Sequence, residues 1–474
     1  MLDNEDDFFD FEDEDNEFDE LVSKFERYVN EGEPAFFDSQ DILDLIDYYS
    51  GWMDKEMVNK ALEIGLQYYP DSSELLLKKA ELLANQSYTL EALKLLDQLE
   101  PQLKYDPNFY LTRGDIYSQM GLSEQSISEY KKLLDLDYPN KEFVYSIIGT
   151  EYMMQDKFEE AIFYLKKSIE YNADNGSVLY KLYFCYSEIN KLNTCIDYFK
   201  KILDEHPFNS DAWLYLAFSY YDIKDYENAF ESINFAQAIN PSDLLIILKK
   251  SDILKAMRRY DEAIDLLKET IDKEPQNAYM TTVLGETLLE VSDYERSIYY
   301  FHKSLYINSK DSRSWLGLGE CYAHLSQDSE AISCIQQAII NSQNDPTILF
   351  NASKIYILLE LYEEAVNILK DLFNKGYDKT EVVVWLSIAL EKSGYVTEAV
   401  DLLTDQIYNQ HNNAIELQYC LAGILLLYQY RQEGLATLEK ALQIDSSKHD
   451  LIYEFSVFFE DDTEIQQLIQ QYNA

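Results

Sequence analysis

The side chains in this sequence that could do chemistry are few, and their spacing matches no catalytic or metal-binding pattern. The five cysteines include Cys185 with Cys195 and Cys321 with Cys334, but no CxxC motif. The five histidines lie at spacings unsuited to metal ligands; they are His206, His302, His324, His411 and His449. We therefore expect small buried thiols, histidines that are solvated or packed, and neither a cofactor nor a metal ion.

Motifs that accompany known reactions are also missing. The sequence contains no GxxxxGK[ST], GxSxG, HExxH or EF-hand loop. Gly317-Leu318-Gly319 could suggest a phosphate-binding loop, but it falls inside a predicted helix, so we interpret it as packing. Carboxylates are abundant, yet without other catalytic residue types they do not indicate an acid–base pair. The sequence therefore predicts a protein that is not an enzyme.

The charge of the chain limits its partners. The 474 residues carry a formal net charge of −48, and residues 1–20 contain no lysine or arginine. Such a chain repels nucleic-acid phosphates and anionic lipid surfaces, so we expect no nucleic acid and no membrane as partner. It should attract basic proteins. With no long apolar run and an acidic start after Met1, the sequence predicts a cytoplasmic protein.

Residues 210–243 predict two helices joined by a turn, since apolar residues recur there at helical spacing. The apolar residues of the first helix are Trp213, Leu216, Ala217 and Tyr220, and those of the second are Ala229, Ile233 and Ala236. Pro241 ends the second helix because proline lacks an N–H and disfavours helix in the residue before it.

This stretch resembles the tetratricopeptide repeat (TPR), a helix–turn–helix unit of about 34 residues. The residues that match the signature are Trp213, Leu216, Ala217, Tyr220, Ala229, Ala236 and Pro241. The resemblance implies an all-α TPR solenoid, a right-handed superhelix of stacked helix pairs with a concave inner surface. The high content of tyrosine, asparagine and acidic residues is similar to that of bacterial cytosolic TPR proteins.

The same pattern repeats along the chain when places are counted from the first residue of each unit. Place twenty, where a small residue lets two helices touch, reads Val58, Ala92, Ser126, Ala161, Cys195, Ala229, Ala263, Ser297, Ala331, Ala365, Ala399 and Gly434. Place twenty-four, a large apolar residue, reads Leu62, Leu96, Tyr130, Leu165, Phe199, Ile233, Leu267, Phe301, Ile335, Leu369, Leu403 and Leu438. Ile46 and Tyr183 break the small-residue pattern of place eight. Agreement across so many units favours one continuous repeat array.

Four regions follow from this count. Residues 1–17 are predicted to be an acidic disordered tail, and residues 18–38 a capping helix (Asp19–Asn30) with a linker. Residues 39–448 hold twelve TPR units, and residues 449–474 a truncated carboxyl-terminal capping unit. The units are 39–72, 73–106, 107–141, 142–175, 176–209, 210–243, 244–277, 278–311, 312–345, 346–379, 380–414 and 415–448. The tail either keeps the protein soluble or attracts a basic partner.

The resemblance also implies that the first helices line the concave groove, notably through places two, five, nine, twelve and thirteen. Place nine carries two acidic triplets, namely Asp47, Glu81 and Asp115, then Asp252, Glu286 and Glu320. Between them lie apolar and aromatic residues, namely Tyr145, Met153, Met154, Tyr180, Phe184, Tyr215, Phe218 and Tyr221. These residues either pack between adjacent helices or bind a peptide, because aromatic and methionine side chains often form binding hot spots.

One activity of the family is disfavoured. TPR domains that hold chaperone carboxyl termini use lysine and asparagine in the groove, whereas place five reads here as Leu43, Leu77, Leu111, Tyr145, Tyr180 and Leu214. An anionic tail would also meet the like charges of place nine. We therefore expect a protein or peptide partner that is basic, or of mixed basic and apolar character.

Two functions remain open at this point. The favoured one is a non-catalytic scaffold or adaptor that binds such a segment in an acidic concave groove. The alternative is a chaperone or assembly factor that shields a basic client through the acidic tail and surface.

Overall fold

The structure is a computed structural model that describes residues 11–136, 138–377, 380–409, 415–428, 430–453 and 459–472. Within these ranges the regular secondary structure is helical and no strand occurs, so the predicted all-α class is confirmed. The chain divides into two compact parts, which we call the amino-terminal body (residues 1–246) and the carboxyl-terminal body (residues 247–474).

The amino-terminal body begins with α1 (Phe11–Glu31) and continues with helix pairs. The first helices of these pairs are α2 (Ser39–Gly51), α4 (Ser73–Asn85), α6 (Pro107–Gln119), α8 (Lys141–Met153), α10 (Gly176–Glu188) and α12 (Ser210–Asp222). The second helices are α3 (Lys55–Tyr68), α5 (Thr89–Leu103), α7 (Ser123–Asp135), α9 (Phe158–Tyr171), α11 (Leu192–Glu205) and α13 (Tyr226–Ile239).

The division between the bodies falls within α14 (Leu244–Ala256), the partner of α15 (Tyr260–Lys273). The later first helices are α16 (Ala278–Glu290), α18 (Ser312–His324), α20 (Pro346–Leu358), α22 (Thr380–Lys392) and α24 (Ile415–Leu427). Their second helices are α17 (Tyr294–Ile307), α19 (Asp328–Asn341), α21 (Tyr362–Asn374), α23 (Val396–Asn409) and α25 (Arg431–Ile444). A 3-10 helix (Ser446–Ile452) and α26 (Thr463–Tyr472) follow. The boundaries of the repeat units remain a prediction from the sequence.

Local chemistry explains where the helices begin and turn. Asparagine or aspartate caps many first helices; the Asn209 side chain, for example, accepts the Ala212 N–H at 2.8 Å. The residue at place fifteen turns the chain with a positive φ, as at Asn190 (54°) and Lys224 (64°). A side chain there costs about 1 kcal/mol or more, and the turn is held because the Asp225 N–H donates to the Tyr220 carbonyl at 2.9 Å.

The core lies where the two helices of a pair meet. Ala229 and Ile233, at places twenty and twenty-four, are fully buried. Glycine at place eight allows the closest approach, since a Cβ on Gly149 would lie 2.8 Å from the Leu165 side chain. Each large apolar side chain buried in this way contributes about 1.5–3 kcal/mol.

Helix α1 differs from its prediction. It begins at Phe11 and not at Asp19, so residues 11–17, predicted to be disordered, belong to the helix. Phe25 of α1 is fully buried, with its ring centroid 5.6 Å from that of Phe37. The rest of the predicted tail, residues 1–10, lies outside the described residues.

The carboxyl-terminal body is closed by α26. Ile465 and Ile469 of this helix are buried in one cluster with Leu438 and Leu442 of α25. The fully buried Tyr419 belongs to the same cluster, and its hydroxyl donates to the Asp445 carbonyl at 2.9 Å. The last helix pair therefore does not expose its apolar face.

Candidate functional site

An aromatic cluster lies on α10 and α12, the first helices of two neighbouring pairs. We define it as Tyr180, Tyr183, Phe184, Tyr215 and Phe218. The ring centroids of Tyr180 and Phe184 are 6.5 Å apart, and those of Tyr180 and Tyr215 are 5.9 Å apart. Those of Tyr183 and Phe218 are 5.5 Å apart. The structure thus brings together four of the predicted groove residues and adds Tyr183, which was not predicted to be part of the site.

The members of the aromatic cluster differ in what they offer to a partner. Tyr215 is only 7% exposed, whereas Tyr180 is 48% exposed; Phe184 and Phe218 are half-buried. The Tyr183 hydroxyl donates to the Asp222 carboxylate at 2.5 Å, which holds that ring in place. Tyr215 therefore supports the cluster from within, and Tyr180, Phe184 and Phe218 form its accessible surface.

Tyr145 does not belong to this surface. Its ring packs on Tyr171 of α9, with centroids 5.8 Å apart. Trp213 stacks on Phe235 of α13 in the equivalent way, with centroids 4.6 Å apart. The placement of Tyr145 at place five was wrong, since counting from residue 142 puts it at place four, the place of Trp213, where the side chain turns toward the second helix.

The remaining apolar site residues lie at the carboxyl ends of first helices. Met153 is half-buried at the end of α8, and Met154, which follows it, is 70% exposed. The Tyr221 ring lies near the end of α12, with its centroid 5.6 Å from that of Tyr226. These side chains could extend a binding surface, but the ring contacts that define the aromatic cluster do not depend on them.

The first acidic triplet is partly neutralised by its own chain. Lys78 on α4 places Nζ 3.1 Å from the Asp47 carboxylate and 3.2 Å from that of Glu81. Asp115 differs, because it accepts a hydrogen bond from the Tyr130 hydroxyl at 2.6 Å. Among the described residues, no lysine or arginine forms an ion pair with Asp115. Asp115 is therefore the member of this triplet most able to receive a cation from outside.

Asp115→Asn should remove a pH-dependent loss of stability. Burial raises the pKa of Asp115, and the carboxylates of Glu81 and Glu151 add to this, although the Tyr130 hydrogen bond opposes it. The native state then binds more protons than the unfolded chain around this pKa, so the unfolding free energy falls as pH rises through that range. The asparagine keeps an acceptor for Tyr130 and should abolish this part of the fall.

Urea denaturation of wild type and Asp115→Asn between about pH 4 and pH 7 measures the difference. We expect the variant to be equal to wild type or more stable at neutral pH, with a shallower decline above the acidic range. A variant that loses stability at neutral pH would show that the carboxylate charge itself stabilises the fold.

A lysine lies in the section that was predicted to be apolar. Lys181 on α10 donates from Nζ to the Thr150 hydroxyl of α8 at 2.9 Å. Burial lowers the pKa of Lys181, and among the described residues no carboxylate forms an ion pair with it. The first-helix face therefore carries a cation between Asp115 and the aromatic cluster.

The second acidic triplet also meets cations of its own chain. Lys255 lies 3.3 Å from the Asp252 carboxylate, and Arg313 donates two hydrogen bonds to Glu286 at 3.0 and 2.6 Å. Glu320 has no such partner within the described part of the chain. The acidic residues of place nine therefore have basic side chains from other places close to them, which the sequence analysis did not consider.

Other chemistry finds little support in the described residues. Burial raises the pKa of both Cys185 and Cys195 to about 12, so both remain thiols at neutral pH. No group of three or more histidine, cysteine, aspartate or glutamate side chains is arranged to hold a metal ion in the part of the chain that the structure covers. None of the helices described is both long and apolar enough to span a membrane.

Comparison with known proteins identifies the repeated helix pair. Family models of the tetratricopeptide repeat match residues 107–140, 144–175 and 248–312. The chain is a tetratricopeptide repeat protein. TPR proteins generally act as scaffolds for protein–protein interaction, and the fold family is generally non-catalytic.

The relatives of this TPR protein are distant. It is 24% identical over 365 residues to the TPR repeat-containing protein YpiA of Bacillus subtilis, which covers 75% of this chain and 84% of YpiA. It is 21% identical over 292 residues to the TPR repeat-containing protein MJ1428 of Methanocaldococcus jannaschii, covering 56% of this chain but only 49% of that protein. The crystal structure of yeast Tom70 is similar with 13% identity and a TM-score of 0.45, covering 85% of this chain and 96% of Tom70.

The TPR place numbers show which functional residues the sequence analysis missed. Lys78 and Lys181 both occupy place six, and Arg313 occupies place two of its unit. Place six was not among the groove places considered, although reading it along the chain shows these lysines directly. For the two lysines the missing signal was thus present in the repeat pattern, three places before place nine of the same helix.

Proposed function

We propose that this TPR protein is a scaffold that binds a segment of another protein on the first-helix face of its amino-terminal body. An apolar side chain of the segment packs on Tyr180, Phe184 and Phe218, and a basic side chain meets Asp115. The aromatic cluster carries this proposal, because its accessible rings span two repeats and rest on a buried tyrosine. Surface aromatics held in this way are common binding hot spots.

The rings are arranged before a partner arrives. Tyr215 contacts Phe218 at a centroid distance of 5.8 Å and the buried Phe199 at 6.5 Å. Tyr183 is fixed by its hydrogen bond to Asp222. Because these side chains are already ordered, binding costs less conformational entropy than it would on flexible side chains. This supports peptide capture over the alternative in which the rings only pack between helices.

The charges favour a segment of mixed character over a uniformly basic one. Lys78 already forms ion pairs with Asp47 and Glu81, so the net attraction for a basic segment is concentrated at Asp115. Lys181 follows on the side toward the aromatic cluster and would repel a second basic residue. The preferred segment therefore has a basic residue, then an acidic or polar one, then apolar residues.

A cytoplasmic location forms part of the proposal. All five cysteines lie within the described residues, are buried and form no disulfide bond, which suits a compartment that keeps thiols reduced. The alternative, in which the protein shields a basic client through its acidic tail, involves residues 1–10, which lie outside the described residues.

Phe184→Glu combined with Phe218→Glu should reduce the recovery of a specific partner at least about tenfold, because two charges would be placed on a desolvated apolar surface. Immobilised wild-type and variant proteins are incubated with extract of the source cells, and bound proteins are quantified by mass spectrometry. The matched control is Phe163→Glu with Phe208→Glu, which changes aromatic residues that are 57% and 84% exposed elsewhere in the same body.

The control should recover the partner as wild type does. Equal recovery by wild type and by the Phe184/Phe218 variant would remove the proposed site. Deletion of residues 2–10 distinguishes the proposed function from the alternative. If only this deletion variant loses the partner, client shielding by the tail is favoured.

A further inference from the structure

A cavity of about 650 Å³ lies on the first-helix face of the carboxyl-terminal body. Four first helices contribute to its lining, namely α16, α18, α20 and α22. This volume falls in the range of small-molecule and short-peptide sites. The residues lining it include Thr347, Asn351 and Lys354, which are exposed, so the cavity opens to solvent and is not a sealed void.

The floor of the cavity is apolar. Leu316, Ile348 and Ile355 line it and are each less than 10% exposed. Trp385 of α22 adds a half-buried indole to one wall. Gly317 lines the cavity without a side chain, because a Cβ there would lie 2.1 Å from the Phe301 ring. An apolar group of moderate size could therefore enter and displace water from these side chains.

Three charged side chains of this lining form no ion pair within the described residues. One of them, Asp345, caps α20 by accepting the Thr347 N–H at 2.8 Å, and the other two are Lys354 and Glu320. The Lys354 ammonium lies 5.2 Å from the Trp385 ring centroid, and among the described residues it forms no ion pair. Glu320, one repeat earlier at the same place nine, likewise has no cation partner in the described part of the chain. In contrast, Glu286 and Arg313 in the same lining satisfy each other through two hydrogen bonds. Lys354 and Glu320 are therefore the charges available to a ligand.

The apolar floor and the two opposite charges together limit which ligands can fit the cavity. A polyanion would meet Glu320, and a uniformly basic segment would meet Lys354, so either would bring like charges together. A purely apolar molecule would leave both charges beside an apolar group without compensation. Thr347 and Asn351 offer a hydroxyl and an amide beside Lys354, which suit the polar groups of a peptide main chain.

We infer that this cavity binds a short extended peptide segment in which an apolar side chain is flanked by an acidic and a basic residue. The apolar side chain packs on Leu316, Ile355 and Trp385. The acidic residue pairs with Lys354, and the basic residue pairs with Glu320. The inference rests on the proposed function only in that both use first helices as the binding face; the residues and the body are different.

Isothermal titration calorimetry with the full chain tests this inference. The probes are Ac-Ser-Lys-Leu-Glu-Ser-NH2, the reversed order Ac-Ser-Glu-Leu-Lys-Ser-NH2, and the neutral Ac-Ser-Gln-Leu-Gln-Ser-NH2. One of the two charged peptides should bind at least about fivefold more tightly than the neutral one, which is the scale of solvent-accessible ion pairs. Lys354→Gln and Glu320→Gln should each remove about this factor for the charged peptide and leave the neutral peptide unchanged.

Charge reversal provides a stricter comparison. Lys354→Glu should lose the preferred peptide and gain affinity for Ac-Ser-Lys-Leu-Lys-Ser-NH2. Lys375→Gln is the matched control, because Lys375 belongs to the same body and pairs with Asp371 outside the cavity. Circular dichroism should show that all variants are folded, since Lys354 and Lys375 are exposed and Glu320 is half-buried at the edge of an open cavity.

Three results would overturn the inference. They are absence of binding by all peptides at millimolar concentration, equal affinity for the charged and neutral peptides, and competition by free leucine as strong as that by the peptide. The Phe184/Phe218 variant should retain peptide binding here, so failure of this inference and failure of the proposed function give different patterns.

Discussion

Phe301→Ala should lower the free energy of unfolding by about 4 kcal/mol, as expected for removal of a fully buried aromatic side chain. Phe301 lies on α17 and is 0% exposed. Two glycines face its ring, since a Cβ on Gly285 or Gly317 would lie 2.7 or 2.1 Å from a ring atom. Because glycines have no side chains that could move into the space, the cavity left by the ring would stay largely empty.

Urea denaturation followed by circular dichroism measures this loss. Tyr306→Ala is the matched control, because Tyr306 is an aromatic residue on the same helix that is 91% exposed, and its removal should change stability by about 0.5 kcal/mol or less. Repeat proteins transmit such losses mainly to neighbouring units, so hydrogen exchange should accelerate most in α16, α17 and α18. A similar effect of both variants would show that place twenty-four is not a core position here.

The core could be predicted because every repeat uses the same places for the same contact. Ala229 and Ile233 were assigned to the core from spacing alone, and both are fully buried. Spacing succeeds for such residues because the contact is made within one helix pair, between side chains close in sequence. The break expected at Tyr183 also has a physical counterpart, since its large side chain turns outward to join Phe218 and reach Asp222.

Local backbone conformations were harder to predict at positions where the residue type gave no indication of them. Lys224 adopts a positive φ, although glycine or asparagine is the usual residue for that conformation. The turn is imposed by the packing of the helices on either side, so composition at that place does not show it. The start of α1 at Phe11 was missed for the opposite reason, because a run of acidic residues was taken to indicate disorder.

The charges of the candidate site could be predicted only in part because some of the ion pairs join different repeats. Asp47 and Lys78 belong to successive first helices, as do Glu286 and Arg313. When place nine is considered alone, the sequence shows a series of acidic residues. The structure also shows the lysine and arginine side chains that lie close to them. A net charge of −48 therefore says little about the charge of a particular surface. Only the structure shows that Asp115, unlike Asp47 and Glu81, forms no ion pair within the described residues.

Arg113→Ala should lower the free energy of unfolding by about 3 kcal/mol, which is large for a charged residue. The Arg113 residue is 5% exposed, and its guanidinium lies 2.9 Å from the Glu129 carboxylate and 3.3 Å from that of Glu100. The guanidinium also lies over the Phe109 ring, 4.6 Å from the centroid. Removal of the arginine leaves Glu129, which is 7% exposed, with Lys132 as its remaining cation, so most of the loss comes from desolvation of that carboxylate.

A second variant separates this explanation from simple loss of packing. Arg113→Met combined with Glu129→Leu replaces the buried pair by apolar side chains, and it should recover most of the stability lost in Arg113→Ala. Arg296→Ala breaks an ion pair with Asp293 whose arginine is 53% exposed, so urea denaturation should show a change of only about 0.5 kcal/mol. If the double variant were as unstable as Arg113→Ala, the pair would stabilise the fold through its charges. In that case, a buried cation would help to hold α6 against α7 in the body that carries the aromatic cluster.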